Sequence, residues 1–288
     1  MLKQINQIEL LMKLKMPLVN MSIMNTKYFI LLLAILSSCN IDTNIGHPII
    51  EKVTVNDITL PKGFTISKLY EPTDHEQGSW VSFAKDDKGN FFASDQFGSI
   101  YKATIKKSNG KDSLYVKELN LNVGLAQGLL YHNNELFALV NSYDEKIKSG
   151  LYKIIDSNDD GELDTVKTLK TVIGNGEHGP HSIELSPDKK SMYMVFGNHT
   201  DIPSDVHGRV PEVWGEDNLL PVIKDPSGHA NSRKAPGGWV AQTDFEGKNW
   251  TLIAVGTRNT FDIAFNRDNE LFGFDSDMEY DLGMPWYR

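Results

Sequence analysis

The sequence predicts an all-β fold and, within that class, a β-propeller. Helical periodicity is weak, and short alternating or β-rich runs are separated by Gly, Asp and Asn. A strand–turn–strand unit recurs at four places along the chain. The copies lie about 45 to 80 residues apart with further strands between them, the spacing of four-stranded blades packed round a channel. The alternative is a β-sandwich with coincidental hairpins.

The first copy is Val81 to Ala84, a polar turn at Asp86 to Asn90, then Phe91 to Ser94. The second is Gly128 to Tyr131, a turn at His132 to Asn134, then Leu136 to Val140. Ser182 to Leu185 and Met192 to Val195 flank Ser186-Pro187-Asp188 in the third, and Asp262 to Phe265 and Leu271 to Phe274 flank Asn266 to Asn269 in the fourth. Ser99 to Ile105, Leu151 to Ile155, Trp239 to Asp244 and Trp250 to Val255 supply strands between them. Asp201 to Pro236, rich in Gly, Pro and Asp, is an insertion on one face of the third blade, where functional loops sit.

Ahead of these units stands a targeting segment. A short basic start at Met24 to Lys27 leads into nine apolar residues, Tyr28 to Leu36, too few for a membrane span of about 20. Leu36-Ser37-Ser38-Cys39 then matches a lipobox, with cleavage before Cys39 and lipidation of that residue. The alternative is an ordinary signal peptide. Residues 1–38 are thus an upstream segment and signal, with Met21 or Met24 as the true start; 39–59 are a polar tether and 60–288 an incomplete propeller. The expected location is the bacterial cell envelope, anchored by lipid outside the cytoplasm. Cys39 is the chain's one cysteine, so no disulfide framework or Cys-based zinc cluster exists. With 38 acidic against 29 basic residues, the chain lacks the cationic surface of a nucleic-acid binder.

Three stretches carry candidate chemistry. In the first, Asp156, Asn158, Asp160 and Asp164 place oxygens at positions 1, 3, 5 and 9 of a loop with Gly161 at 6, and Glu162 offers its carbonyl at 7. That spacing wraps a hard cation and predicts a structural Ca²⁺, although position 12 is Lys167. The bland reading is an acidic hairpin tip. In the second, Gly176-Glu177-His178-Gly179-Pro180-His181-Ser182 precedes an inner hairpin, where residues of successive blades converge on the axis; its counterparts are Ser79-Trp80, Ala126-Gln127 and Asn259-Thr260. His181 in a rigid turn suits a general base. It could instead be a structural His, or bind metal with His178 and His199. The third, Gly256 to Asp262, brings a planar cationic fork at Arg258 and an amide at Asn259, followed by the acidic run Asp275 to Asp281, which could hold a cation or orient the Arg; the bland reading is that Arg258 merely pairs with Asp262 or Asp275.

These stretches resemble the quinoprotein glucose and sorbosone dehydrogenase superfamily. The sequence is most similar to sorbosone-dehydrogenase-like modules of secreted bacterial proteins, which are often fused to a haem c domain. The likeness runs over most of Leu60 to Arg288. It is strongest in Gly176 to Ser182 with Gly197-Asn198-His199-Thr200, in Pro236 to Val240, in Gly256 to Asn259, and in Phe274 to Glu279 with Gly283 to Arg288. The resemblance implies a six-bladed propeller binding pyrroloquinoline quinone and Ca²⁺, and oxidation of a sugar, polyol or related aldehyde by hydride transfer to the quinone. His181 corresponds to the base that takes the hydroxyl proton, and Arg258 and Asn259 to residues contacting the quinone; Gln127 joins that cofactor-binding set. An electron acceptor such as a cytochrome c would be the partner. Four inner hairpins are fewer than six blades need, and there is no Cys-x-x-Cys-His for haem c. The expectation is therefore about four blades with the last one open. The rival class is a non-catalytic propeller that binds glycan or protein, with Trp80, Trp214 and Trp239 as sugar platforms.

Overall fold

The computed structural model describes residues 52–55, 57–209, 211–212 and 236–276. Cys39, Trp214 and the acidic residues after Ser276 lie outside them. The chain divides into Met1–Ile66 and Ser67–Arg288. In the first unit a short antiparallel hairpin joins β1 (Lys52–Val55) to β2 (Ile58–Pro61). The tether expected over 39–59 thus ends in ordered strands, pinned by the hydroxyls of Thr54 and Thr59 at 3.2 Å.

The second unit holds the repeated sheets. β3 (Trp80–Lys85), β4 (Phe91–Asp95), β5 (Ile100–Ser108) and β6 (Lys111–Glu118) form an antiparallel meander. A second follows from β7 (Ala126–His132) through β8 (Glu135–Val140) and β9 (Gly150–Ile155) to β10 (Thr165–Thr171). The third sheet runs β11 (Pro180–Leu185), β12 (Met192–Phe196), β14 (Gly238–Thr243), β15 (Thr251–Thr257). Part of the expected insertion adds β13 (His207–Gly208) to its outer edge, parallel to β15. β16 (Thr260–Phe265) and β17 (Leu271–Asp275) form the fourth hairpin. All four predicted units are therefore present, each strand extended by one to three residues.

Local chemistry explains the turns. Asp86 accepts backbone N–H groups from Lys88 and Asn90, and Asn266 accepts them from Asp268 and Glu270. Ser186 closes the same turn of the third sheet through its hydroxyl oxygen, which accepts from Lys190 and Ser191. In the second, Asn133 and Asn134 both adopt positive φ, the conformation a tight two-residue hairpin needs.

The first strands of successive sheets lie side by side: β3 against β7, β7 against β11, and β11 against β16. Such a radial succession of meanders is the propeller arrangement. The inner strands touch through repeated contacts. The amide of Leu129 donates to the Ser82 hydroxyl, and the Ser182 hydroxyl donates to Asp262. At Gly128 a Cβ would sit 2.8 Å from the carbonyl oxygen of His181, so only glycine permits that approach. Apolar clusters fill each gap. Phe92, Leu129, Leu136 and Ile154 lie between the first two blades. Phe137, Leu151, Met194, Phe196 and Trp239 lie between the second and third, and Val195, Val240 and Ile263 between the third and fourth.

One cation ties the second blade to the third. Lys153 is buried in β9, and its ammonium donates to Glu135 and to Glu246 at 2.5 Å. Burial alone would lower the pKa of that ammonium, but the two carboxylates outweigh it and raise it.

Among the described residues the outward face of the fourth hairpin has no such cover. Phe92, paired with Ala84, is 2% exposed and stacks on Tyr131 of the next blade at 5.5 Å. Its counterpart Phe272, paired with Ala264, is 59% exposed, and neighbouring Phe274 is 74% exposed.

Candidate active site

Every inner hairpin begins with the same irregularity. The register shifts after Trp80 in β3, after Ala126 in β7, after Pro180 in β11 and after Thr260 in β16. A bulge bends the strand and re-aims the side chain within it. The residues so placed are Val81, Gln127, His181 and Phe261. Gln127 therefore occupies on β7 the position His181 occupies on β11.

The turn before β11 is held from both sides. Asn141, just past β8, takes the amide of Gly176 on its side-chain oxygen and donates its NH₂ to the Gly176 carbonyl. His178 is fully buried, its Nδ1 lies 2.6 Å from Asn198 Oδ1, and its ring leans on that of His199 at 4.6 Å. His178, His181 and His199 do not form a metal set: among the described residues no three His, Cys, Asp or Glu are arranged to hold a metal ion.

His181 and Asn259, 78 residues apart, meet with Nε2 and Oδ1 at 2.6 Å. Both are buried. The Asn259 NH₂ donates to the carbonyl of Glu177, so its oxygen is the end that faces His181. An amide oxygen only accepts. The network thus assigns the proton of neutral His181 to Nε2 and leaves the lone pair on Nδ1. That Nδ1 is buried and makes no hydrogen bond. Burial holds the His181 ring below the ordinary imidazole value; Asn259 opposes this shift, neighbouring His178 adds to it, and the Glu177 backbone opposes it in smaller measure. The ring of Phe261 lies beside it at 4.9 Å.

Arg258 is 5% exposed, and its guanidinium donates to the Ser276 hydroxyl at 2.9 Å. Its backbone amide donates to one oxygen of Asp275 and that of Asn259 to the other, at 3.0 and 2.7 Å. Gly197 closes the group. A Cβ there would come within 2.6 Å of Asn259 Oδ1 and 2.5 Å of the His178 carbonyl oxygen. The structure thus brings together His181, Asn259 and Arg258, with Gln127 on the adjoining strand. Asp275 was expected to hold a cation, orient Arg258 or pair with it, and it holds the backbone of Arg258 and of Asn259 instead of the guanidinium. The role of Glu177 was missed, because a backbone carbonyl leaves no signal in residue type.

The 156–164 loop is the hairpin tip between β9 and β10, far along the sheet from the inner strands. Its oxygens turn to the loop itself. Asp156 accepts from the amides of Asp160 and Gly161, Asp160 accepts from Glu162, and Asp164 accepts from Ser157. Glu162 is held by the ammoniums of Lys102 and Lys117 at 3.0 and 2.9 Å, which keep its carboxyl below the usual range. Lys102 also donates to the Gly161 carbonyl. Asp156, Asn158, Asp160, Glu162 and Asp164 are therefore not gathered round a cation as expected, and two positive charges sit beside them. Chelator is expected to leave the melting temperature unchanged, because nothing in this tip waits on an ion. A Ca²⁺-dependent rise in melting temperature, abolished in Asp160→Ala, would restore the cation loop.

Trp239 corrects the sugar-platform expectation: it is 0% exposed, inside the core. Trp80 is partly buried and lies in an aromatic group with Tyr70, Phe83 and Tyr101.

No protein-family model matches the chain, and no curated protein does. Solved structures do. The chain is similar to the PQQ-bound form of an aldose sugar dehydrogenase from Streptomyces coelicolor, at 16% identity and a TM-score of 0.47, over 70% of this chain and 57% of that one. A putative oxidoreductase (glucose dehydrogenase) from Thermus thermophilus matches at 16% identity and a TM-score of 0.42, over 68% and 57%. The holo form of the PQQ domain of a pyranose dehydrogenase from Coprinopsis cinerea matches at 14% and 0.43, over 74% and 48%. The chain spans about half to three-fifths of the length of these structures.

Proposed function

We propose that the chain is part of a quinoprotein-type dehydrogenase that oxidises a hydroxyl of a sugar, polyol or related aldehyde, with His181 as general base. One observation carries the reading: His181 Nε2 lies 2.6 Å from the Asn259 side-chain oxygen, an acceptor, while its Nδ1 is buried without a hydrogen-bond partner. A structural histidine in a core satisfies both nitrogens. A nitrogen kept dry, unprotonated and unpaired is instead ready to take a proton.

The residues present fit pyrroloquinoline quinone. The fit rests on that orphaned nitrogen, on the guanidinium of Arg258 and on the amide of Gln127 on the adjoining strand, suited to carboxylate and quinone oxygens, while the Asn259 amide is taken up by Glu177 and His181. Bound there, the quinone supplies a hydride acceptor. His181 takes the substrate hydroxyl proton at Nδ1. Asn259 holds the imidazole ring through Nε2, and Arg258 provides positive charge for the anionic group. Cys39 lipidation, placement in the cell envelope and a cytochrome c acceptor belong to this same proposal and rest on the sequence.

Quinone titration of the purified protein, followed by absorbance and melting temperature, tests it. Wild type is expected to bind and be stabilised, and Arg258→Ala to bind at least tenfold more weakly, through loss of a charge-assisted fork. A wild type that neither binds nor gains stability would sink the reading.

A further inference from the structure

Two of the four blades carry the same clamp. In the first, Asp95 at the end of β4 accepts the amide of Gly78, 17 residues earlier, at 2.7 Å. In the fourth, Asp275 at the end of β17 accepts the amide of Arg258, also 17 residues earlier, at 3.0 Å. Both acids occupy the same register place, opposite the first residue of the inner strand: Trp80 pairs with Asp95, and Thr260 with Asp275. In the first blade the clamped residue is a glycine, and the clamp only closes the approach to the strand. In the fourth it also holds Asn259 at 2.7 Å, and Thr260 through its hydroxyl at 3.3 Å.

We infer that Asp275 is a positioning residue: by gripping the backbone of Arg258 and Asn259 it aims the Asn259 oxygen at His181 and so fixes His181 as the Nε2–H tautomer. Three contacts define the chain of action. Asp275 fixes the Asn259 backbone, Glu177 fixes the far end of its amide, and the amide oxygen fixes His181. An amide is tolerated poorly at position 275, because its NH₂ end would face a backbone N–H and give no acceptor there. The inference rests on the dehydrogenase reading for its use, but the tautomer itself does not depend on any cofactor.

Long-range ¹H–¹⁵N correlation of histidine-labelled protein reads the tautomer directly, without quinone. Wild-type His181 is expected as the Nε2–H form throughout. Asp275→Asn is expected to give a mixture of the two tautomers. In the working enzyme its turnover should fall about tenfold with little change in KM, as expected when a base is misdirected rather than substrate binding lost. Asp95→Asn removes the twin clamp and is expected to leave the His181 signal as in wild type, which separates positioning from general loosening. Should Asp275→Asn fail to fold, Asp275→Glu keeps the charge, displaces the acceptor by one methylene, and is expected to mix the tautomers likewise. The inference is overturned if wild-type His181 carries its proton on Nδ1. It is also overturned if a folded Asp275 variant keeps the pure Nε2–H form, or if Asp95→Asn disturbs His181 equally. A protein that shows the expected tautomers yet binds no quinone would refute the proposed function and leave the positioning role standing.

Discussion

Turnover of His181→Ala is expected to fall about 10²- to 10⁴-fold while quinone still binds, the loss typical of removing a positioned general base. Binding survives because Arg258 and Asn259 keep their own supports, Asp275 and the Glu177 carbonyl. The pH profile follows from the same burial. Only neutral His181 accepts a proton, and its folded value lies below the ordinary imidazole value of about 6.5. Activity should therefore persist below pH 6.5 and fall only as pH drops through the folded value. Stability carries the same sign. Below about pH 6.5 the unfolded chain binds a proton that the native chain refuses, so stability declines as pH falls from there to the folded value. Equal turnover of His181→Ala and wild type on a substrate the wild type oxidises would exclude the base. An acid limb at or above 6.5 would show that His181 is not the group titrating.

The four inner hairpins were legible because each sets two short β-rich runs either side of a tight turn, and in three of the four that turn begins with a residue that caps its own backbone, Asp86, Ser186 or Asn266. The outer strands were harder. β6 exposes most of Lys111–Glu118, and the run reads as a charged loop because water lies on both of its faces. β10 is similarly ambiguous, with two lysines in Thr165–Thr171. At the site, residue type marked His181, Arg258 and Asn259. Their meeting depends on a bulge, a glycine without a Cβ at 197 and the carbonyl of Glu177, and none of these has a side chain to announce it. The loop at 156–164 misled for the converse reason. The spacing that wraps a cation also lets each acid cap the amides that follow it, and Lys102 and Lys117, far off in sequence, supply the charge that a cation would have supplied.

Trp239→Ala is expected to destabilise the protein by about 3–5 kcal/mol, the range for removing a fully buried large aromatic. Domains of this kind are stable by only about 5–15 kcal/mol, so much of the total would be lost. The side chain is 0% exposed and lies flat on Phe196 of the paired strand, centroids 3.8 Å apart and planes 12° from parallel. Its indole N–H donates to the Thr200 carbonyl at 2.8 Å. Alanine would leave a void between the second and third blades and an unpaired buried carbonyl together. Trp239→Phe separates the two effects: it keeps a ring against Phe196, loses the N–H, and should cost about 1–2 kcal/mol. The hydrogen bond also reaches toward the site. Thr200 ends the turn from Gly197 that carries Asn198, the partner of His178, and its own amide donates back to Gly197. Loss of the indole should therefore loosen the His178 side of the site before the sheet melts. Urea unfolding of the two variants gives the free energies, with the midpoint expected to move and the slope to hold. A loss under about 1 kcal/mol for Trp239→Ala would mean that this ring is not packed in the core. Sugar binding weakened by Trp239→Phe at unchanged stability would return it to the role of a platform.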